Sequence, residues 1–188
     1  MMKFGKYLEG EKVRLVPFEA DRDSKLFSKW RRNSEYLRLM DGDIAILYSA
    51  ENIKKWMEEN ELADDLAIFI IKTIVDDQIV GEIGLFGFKG KHNNSFVGIS
   101  IGEAENWGKG YGTDAMKIIL QYGFGILNLN HISLTVFEYN QRGVRSYEKA
   151  GFKMEGTQRK FLNRDGRRWD MYRMGILKSE WEQLTQSK

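Results

Sequence analysis

Glycines at alternate positions, Gly108, Gly110 and Gly112, mark the point where the chain changes its period. Before them, Ser95 to Ile101 reads as a strand. After them, Ala115, Ile118, Ile119 and Tyr122 fall on one stripe of a helix expected from about Gly110 to Leu127. A strand that ends in a glycine-rich turn and enters a helix gathers unpaired backbone N–H groups and the positive end of the helix dipole at one spot. That is a ready anion site. Glycine lets the backbone approach phosphate oxygens with no Cβ in the way, and Lys109 places a cation at the rim. The P-loop pattern GxxxxGK[ST] is met nowhere in the chain, and the glycines do not fit the dinucleotide pattern GxGxxG.

The elements around this turn can be placed from periodicity and punctuation. Val13 to Val16 reads as an opening strand ended near Pro17. Leu26, Phe27, Trp30 and Leu37 predict one or two amphipathic helices between Asp21 and Leu39, and Ser49 can cap another from Ala50 to Asn60. Leu66 to Thr73 looks like a strand buried on both faces, turned by Asp76-Asp77-Gln78 into a second strand, Ile79 to Phe88. With Ser95 to Ile101 these make a three-strand meander. His131 to Phe137 predicts a further strand, and Asn140 to Ala150 a helix capped by Gly151. Phe152 to Leu162 and Arg167 to Leu177 predict a hairpin, and Ser179 to Glu182 a capping box for a last helix.

This order places one βαβ crossover among antiparallel pairs. The expected fold is α/β of the α+β type, a single mixed, mostly antiparallel sheet with a central crossover and helices on both faces. With 188 residues and no linker or repeat, one domain spanning 1–188 is expected. The chain has no cysteine, and His92 and His131 are far apart, so no metal site is expected. No apolar run reaches membrane-spanning length, the N-terminus lacks the apolar core of a signal peptide, and a cytoplasmic location is expected. The near balance of 29 basic and 27 acidic residues argues against a nucleic-acid footprint covering the surface. Arg159, Lys160, Arg164, Arg167 and Arg168 do cluster, either as a solvated hairpin or as a patch for a phosphate-bearing or acidic partner.

The segment Glu105-Asn106-Trp107-Gly108-Lys109-Gly110-Tyr111-Gly112-Thr113-Asp114-Ala115 resembles the acetyl-CoA pyrophosphate loop of the GNAT acetyltransferase superfamily. Val136 to Phe152, carrying Asn140, Tyr147 and Gly151, is similar to the family's second motif. The closing segments look most like the branch holding ribosomal-protein N-terminal acetyltransferases and spermidine N-acetyltransferase. The resemblance implies an N-acetyltransferase using acetyl-CoA as co-substrate, with transfer by direct attack in a ternary complex. It implies backbone pairing of Ile99, Ser100 and Ile101 with the pantetheine arm, where the two central strands splay. It implies that Trp107, Gly108, Lys109, Gly110, Tyr111, Gly112 and Thr113 hold the pyrophosphate, that Asn140 contacts the pantetheine and that Tyr147 is the general acid. It leaves the oligomeric state open between monomer and homodimer.

Tyr147 also suits the chemistry on its own terms, because a departing thiolate needs a proton and a phenol with pKa about 10 keeps one at neutral pH. Two positions depart from the family's pattern. Trp107 stands where Gln or Arg is frequent, and its indole cannot reproduce a guanidinium. Val97 stands where many relatives place a carboxylate, which leaves Glu82 and Glu103 as candidate bases and Glu82 as the one assigned. A lysine-like or polyamine ammonium, pKa about 10.4, costs roughly 4.6 kcal/mol to deprotonate at pH 7; an α-amine near 7.8 costs about 1 kcal/mol. A site without a strong base therefore suits a peptide or protein N-terminus. A polyamine would instead want carboxylates, and Glu35, Asp41 and Asp43 form a small acidic set. Two other readings compete: a non-catalytic acyl-CoA-binding module, and an RNA-binding protein using the basic hairpin.

Overall fold

The computed structural model describes residues 7–42, 46–60 and 63–186. Seven strands form one sheet: β1 (Val13–Pro17), β2 (Leu66–Thr73), β3 (Ile79–Phe86), β4 (Asn94–Ile101), β5 (His131–Phe137), β6 (Lys153–Arg164) and β7 (Arg167–Leu177). Their order across the sheet is β1-β2-β3-β4-β5-β7-β6, antiparallel everywhere except between β4 and β5. The six α-helices among the described residues are α1 (Ala20–Trp30), α2 (Ser34–Met40), α3 (Ala50–Asn60), α4 (Tyr111–Gly125), α5 (Gln141–Ala150) and α6 (Lys178–Gln186). The expected mixed sheet with its crossover, β4-α4-β5, is present. No helix among the described residues is long and apolar enough to cross a membrane.

Two apolar layers explain why helices cover both faces. Ile70 and Ile71 are both fully buried, and as neighbours on a strand they point to opposite sides. Ile71 joins Val13, Ile83, Leu85 and Val97 under the stripe Ala115, Ile118 and Ile119 of α4. Ile70 joins Phe27, Trp30, Tyr36, Ile53 and Met57 of α1, α2 and α3. Burial on both faces therefore holds at the centre of β2, while Leu66 to Phe69 are only half-buried. At roughly 1.5–3 kcal/mol per buried large apolar side chain, each layer is a major contributor to stability.

Several boundaries differ from the sequence expectation. β3 ends at Phe86, two residues before the expected end, because Gly87 turns the chain at φ 68. α4 ends at Gly125 rather than Leu127. The closing hairpin is tighter than the four-residue loop expected: Arg164 pairs with Arg167, and Asp165 and Gly166 both take positive φ, the geometry of a two-residue turn. The last helix starts at Lys178, so Ser179 is not its cap. Glu180 instead accepts from the Leu177 N–H at 2.9 Å, the carboxylate half of a capping box set two residues earlier. Ser49 caps α3 as expected, accepting from Asn52 N–H at 3.1 Å.

The start of the chain is tied to the glycine turn. Asp114, buried in the first turn of α4, accepts from the N–H groups of Glu11, Lys12 and Val13 at 3.3, 2.8 and 3.0 Å. The Lys12 ammonium then donates to the Lys109 carbonyl at 2.8 Å. A carboxylate at a helix N-terminus is favoured by the dipole. Here it also locks the loop in position against β1.

Candidate active site

β4 and β5 pair only at Asn94–His131, Ser95–Ile132 and Phe96–Ser133. Beyond that point the strands separate, and β4 residues 97–101 have no partner on the β5 side. The gap opens toward the glycine turn and joins two cavities, one of about 320 Å³ under the turn and one of about 580 Å³ beneath α1–α3.

The smaller cavity is lined by Trp107, Gly108, Gly110, Tyr111, Gly112 and Thr113, with α5 as its other lip. Gly108 and Gly110 sit at φ 77 and 89, the left-handed region that side chains rarely adopt. Gly110 is the N-cap of α4 and has no side-chain capping bond, so the first N–H groups of that helix face the cleft unsatisfied by a cap. Gly112 has a different reason. A Cβ there would meet Ile101, Ser146 and Ile99 at 3.8–3.9 Å, ordinary contact, so the protein's own packing does not demand glycine. What a side chain would take up is cleft. Asn106 Nδ2 is buried in the same wall with no acceptor among the described residues. Left-handed glycines, free helix N–H groups and an orphaned donor together fit a polyanionic group.

Trp107 is integrated rather than misplaced. Its indole N–H donates to the Ile101 carbonyl at 2.8 Å, and the Arg142 guanidinium lies 3.9 Å from the ring centroid. The guanidinium missing from the loop is thus present at the same rim, supplied by α5. Lys109 does not line the cleft: its ammonium hydrogen-bonds Asn106 Oδ1 at 3.4 Å and its carbonyl is held by Lys12. Thr113 and Ser146 share a hydroxyl hydrogen bond of 2.8 Å that joins α4 to α5.

Asn140 caps α5 by accepting from Gly143 N–H at 2.9 Å, and both it and Tyr147 line the two cavities. Burial pushes the Tyr147 phenol up to about 12, with the nearby Arg142 charge opposing the shift. The group is therefore fully protonated at neutral pH.

In the larger cavity Glu82 stands opposite Ser100 in the β3–β4 register. The Ser100 hydroxyl donates to Glu82 Oε1 at 3.4 Å and accepts from the Tyr36 hydroxyl at 3.0 Å. Burial pushes the Glu82 carboxyl up to about 7, opposed by the Arg31 charge and the Ser100 hydrogen bond. Glu103 instead pairs with Lys29 at 2.7 Å and lines neither cavity, which removes it as a base.

The acidic set does not assemble around the larger cavity. Asp41 lines it, Glu35 does not, and Asp43 lies outside the described residues. Asp41's backbone is instead part of a clamp. Arg164 donates to the carbonyls of Arg38 and Asp41 at 2.7 and 2.9 Å and to the Tyr139 hydroxyl at 2.7 Å. This holds the end of α2, whose Leu39 and Met40 wall both cavities. Arg167 stacks 3.4 Å from the Trp169 ring centroid. Two arginines of the basic hairpin are therefore engaged within the fold.

Residues 12–153 match the acetyltransferase (GNAT) domain family. The chain belongs to the GNAT acetyltransferase family. Similar proteins include the probable N-acetyltransferase YjcK of Bacillus subtilis, 31% identical over 94% of this chain and 99% of that one. The SPbeta prophage-derived N-acetyltransferase YokL of the same organism is 28% identical over 94% and 96%. A spermidine N(1)-acetyltransferase of Vibrio cholerae is 31% identical over 74% and 90%. In structure, the Vibrio cholerae spermidine N-acetyltransferase solved with CoA and spermine superposes with a TM-score of 0.81 at 24% identity, covering 90% of this chain and 98% of that one. This GNAT acetyltransferase is an N-acetyltransferase that takes an acyl-CoA co-substrate and acylates an amine.

The residues that sequence reasoning missed in the GNAT site are Arg142, Tyr36 and Arg31. Arg142 is two positions from Asn140, inside the motif already singled out, but nothing in one dimension pairs it with Trp107. Tyr36 belongs to a helix, and Arg31 caps another, in a segment whose spacing signalled only burial.

Proposed function

We propose that this acetyltransferase moves an acetyl group from acetyl-CoA to a primary amine in a ternary complex, with Glu82 as general base and Tyr147 as general acid. The observation that carries the reading is the meeting of two cavities at Ser100, Asn140 and Tyr147, one suited to a polyanion and one holding a half-buried carboxylate. The ammonium gives one proton to Glu82, and the nitrogen of the free amine forms the bond to the thioester carbonyl. The carbon–sulfur bond then breaks, the thiolate takes the Tyr147 proton, and the second proton lost by the nitrogen restores Tyr147. Gly108 to Thr113 would hold the pyrophosphate, with Arg142 as their cation. Ile99 and Ser100 would offer backbone groups to the pantetheine arm. The Ile101 carbonyl already accepts from Trp107, which narrows its part in that pairing.

A base near pKa 7 supports an α-amine as acceptor. Proton transfer from a peptide-type α-amine of pKa about 7.8 to Glu82 is nearly level, whereas an ammonium near 10.4 leaves a gap of roughly 4–5 kcal/mol. The names of the spermidine-acetylating relatives support the second reading, a polyamine acceptor. The test is release of free CoA from acetyl-CoA with amino acids, N-terminal peptides and polyamines. Amine-dependent release is expected; release no faster than without amine would remove the transferase reading.

Arg142→Ala is expected to weaken CoA binding about tenfold to a hundredfold, the worth of one charged hydrogen bond with its ring stack, measured by calorimetry. Arg142→Lys should recover only part of it, because an ammonium lacks the planar face that covers Trp107.

A further inference from the structure

The face of β3 and β4 under α1–α3 is graded from one end to the other. Glu82, Gly84 and Phe86 alternate along β3, opposite Ser100, Gly98 and Phe96 on β4. At about 3.4 Å per residue, the four steps from Glu82 to Phe86 span roughly 14 Å. The two glycines between make room for the Phe86 ring, which lies 3.2 and 3.3 Å from where Cβ atoms at Gly84 and Gly98 would stand. At the far end Phe86 and Phe96 are 36% and 41% exposed, and Trp56 of α3, in the same lining, is 46% exposed. A monomer does not gain stability by holding three large rings open to water. A groove with a carboxylate at one end and an aromatic floor and rim at the other suits a ligand with an amine head and a flat or bulky apolar body.

The charged lining narrows the class further. Arg31 follows the last turn of α1, and its guanidinium stands 5.3 Å from the Tyr48 ring centroid. It enters no direct ion pair among the described residues, although its charge is felt at Glu82. Asp41 is the one other carboxylate in the described lining, where Glu82 is the first. The second ammonium of a polyamine would meet Arg31, and like charges at close range select against a ligand. A carboxylate would find there a planar donor pair.

Resting on the transferase reading above, we propose that the acceptor is a free α-amino acid with a large apolar or aromatic side chain. Its amine meets Glu82, its carboxylate meets Arg31, and its side chain lies on the Phe86 ring that covers Gly84 and Gly98, against Phe96 and Trp56. The product is the N-acetylated amino acid and free CoA.

The experiment measures initial rates of CoA release from acetyl-CoA with L-phenylalanine, L-phenylalanine amide, L-alanine and spermidine. The amide stands in for a peptide N-terminus. Phenylalanine is expected to have a kcat/KM at least about tenfold above the amide and above spermidine. Arg31→Gln should lower that of phenylalanine roughly tenfold to a hundredfold and close the gap between acid and amide. Phe86→Ala, at the exposed rim, should cost phenylalanine several-fold more than alanine. Spermidine or the amide ahead of phenylalanine, or an Arg31→Gln loss equal for acid and amide, would overturn the proposal while leaving the transferase reading standing. Binding of acetyl-CoA with no amine acetylated would overturn both.

Discussion

Tyr147→Phe is expected to lower kcat by about 10²–10⁴-fold while CoA affinity changes by no more than about tenfold. The first figure is the usual worth of a positioned general acid, the second that of one neutral hydrogen bond. The split follows from where the ring stands. Its body packs edge-on against Phe152 at 6.3 Å, a contact that phenylalanine keeps. The residue lines both cavities where they meet. Because burial and not a charged partner dominates its shift, the phenol holds its proton across the working range. Single-turnover rates with a pre-formed acetyl-CoA complex check the effect on chemistry, and calorimetry checks affinity. An unchanged rate would remove Tyr147 from the mechanism.

Glu82→Gln should lower kcat/KM by a similar 10²–10⁴-fold and change the pH profile, which a merely structural role would not do. A base works when deprotonated, so activity should rise with pH through about 7 and level off above it. The acceptor amine adds its own ionisation at higher pH, near 7.8 for a peptide α-amine. In Glu82→Gln the inflection near 7 should vanish and only that of the acceptor remain. Stability runs the opposite way. Between the ordinary carboxyl value of 4.5 and about 7 the folded chain binds more protons at this group than the unfolded chain, so stability falls as pH rises through that window. The substitution should flatten this slope in denaturant titrations at pH 5 and pH 8. Persistence of the inflection near 7 in the variant would assign it to another group.

Both predictions depend on a residue whose identity the chain announced and whose setting it did not. Tyr147 was legible because Asn140, Tyr147 and Gly151 recur at fixed spacing on one short helix, and local spacing survives in one dimension. Glu82 was legible only as a carboxylate on a strand, with a solvated surface as its commonest fate. Its setting comes from Ser100, opposite it on β4, and from the Arg31 charge, more distant in the chain. The exclusion of Glu103 likewise needed Lys29, seventy-four positions away.

What the sequence determined by itself was the alternation of strands and helices, the glycine cradle and the central crossover. These follow from periodicity, from glycine's access to positive φ and from helix N-termini, all local properties. Only the tertiary structure decided which side chains face one another. Arg142 covers Trp107, Arg164 clamps the end of α2, and Glu82, Gly84 and Phe86 line up against Ser100, Gly98 and Phe96. The physical reason is register and packing. A one-residue slip would turn Glu82 to the other face, and the distance between β4 and β5 depends on layers contributed by the whole chain.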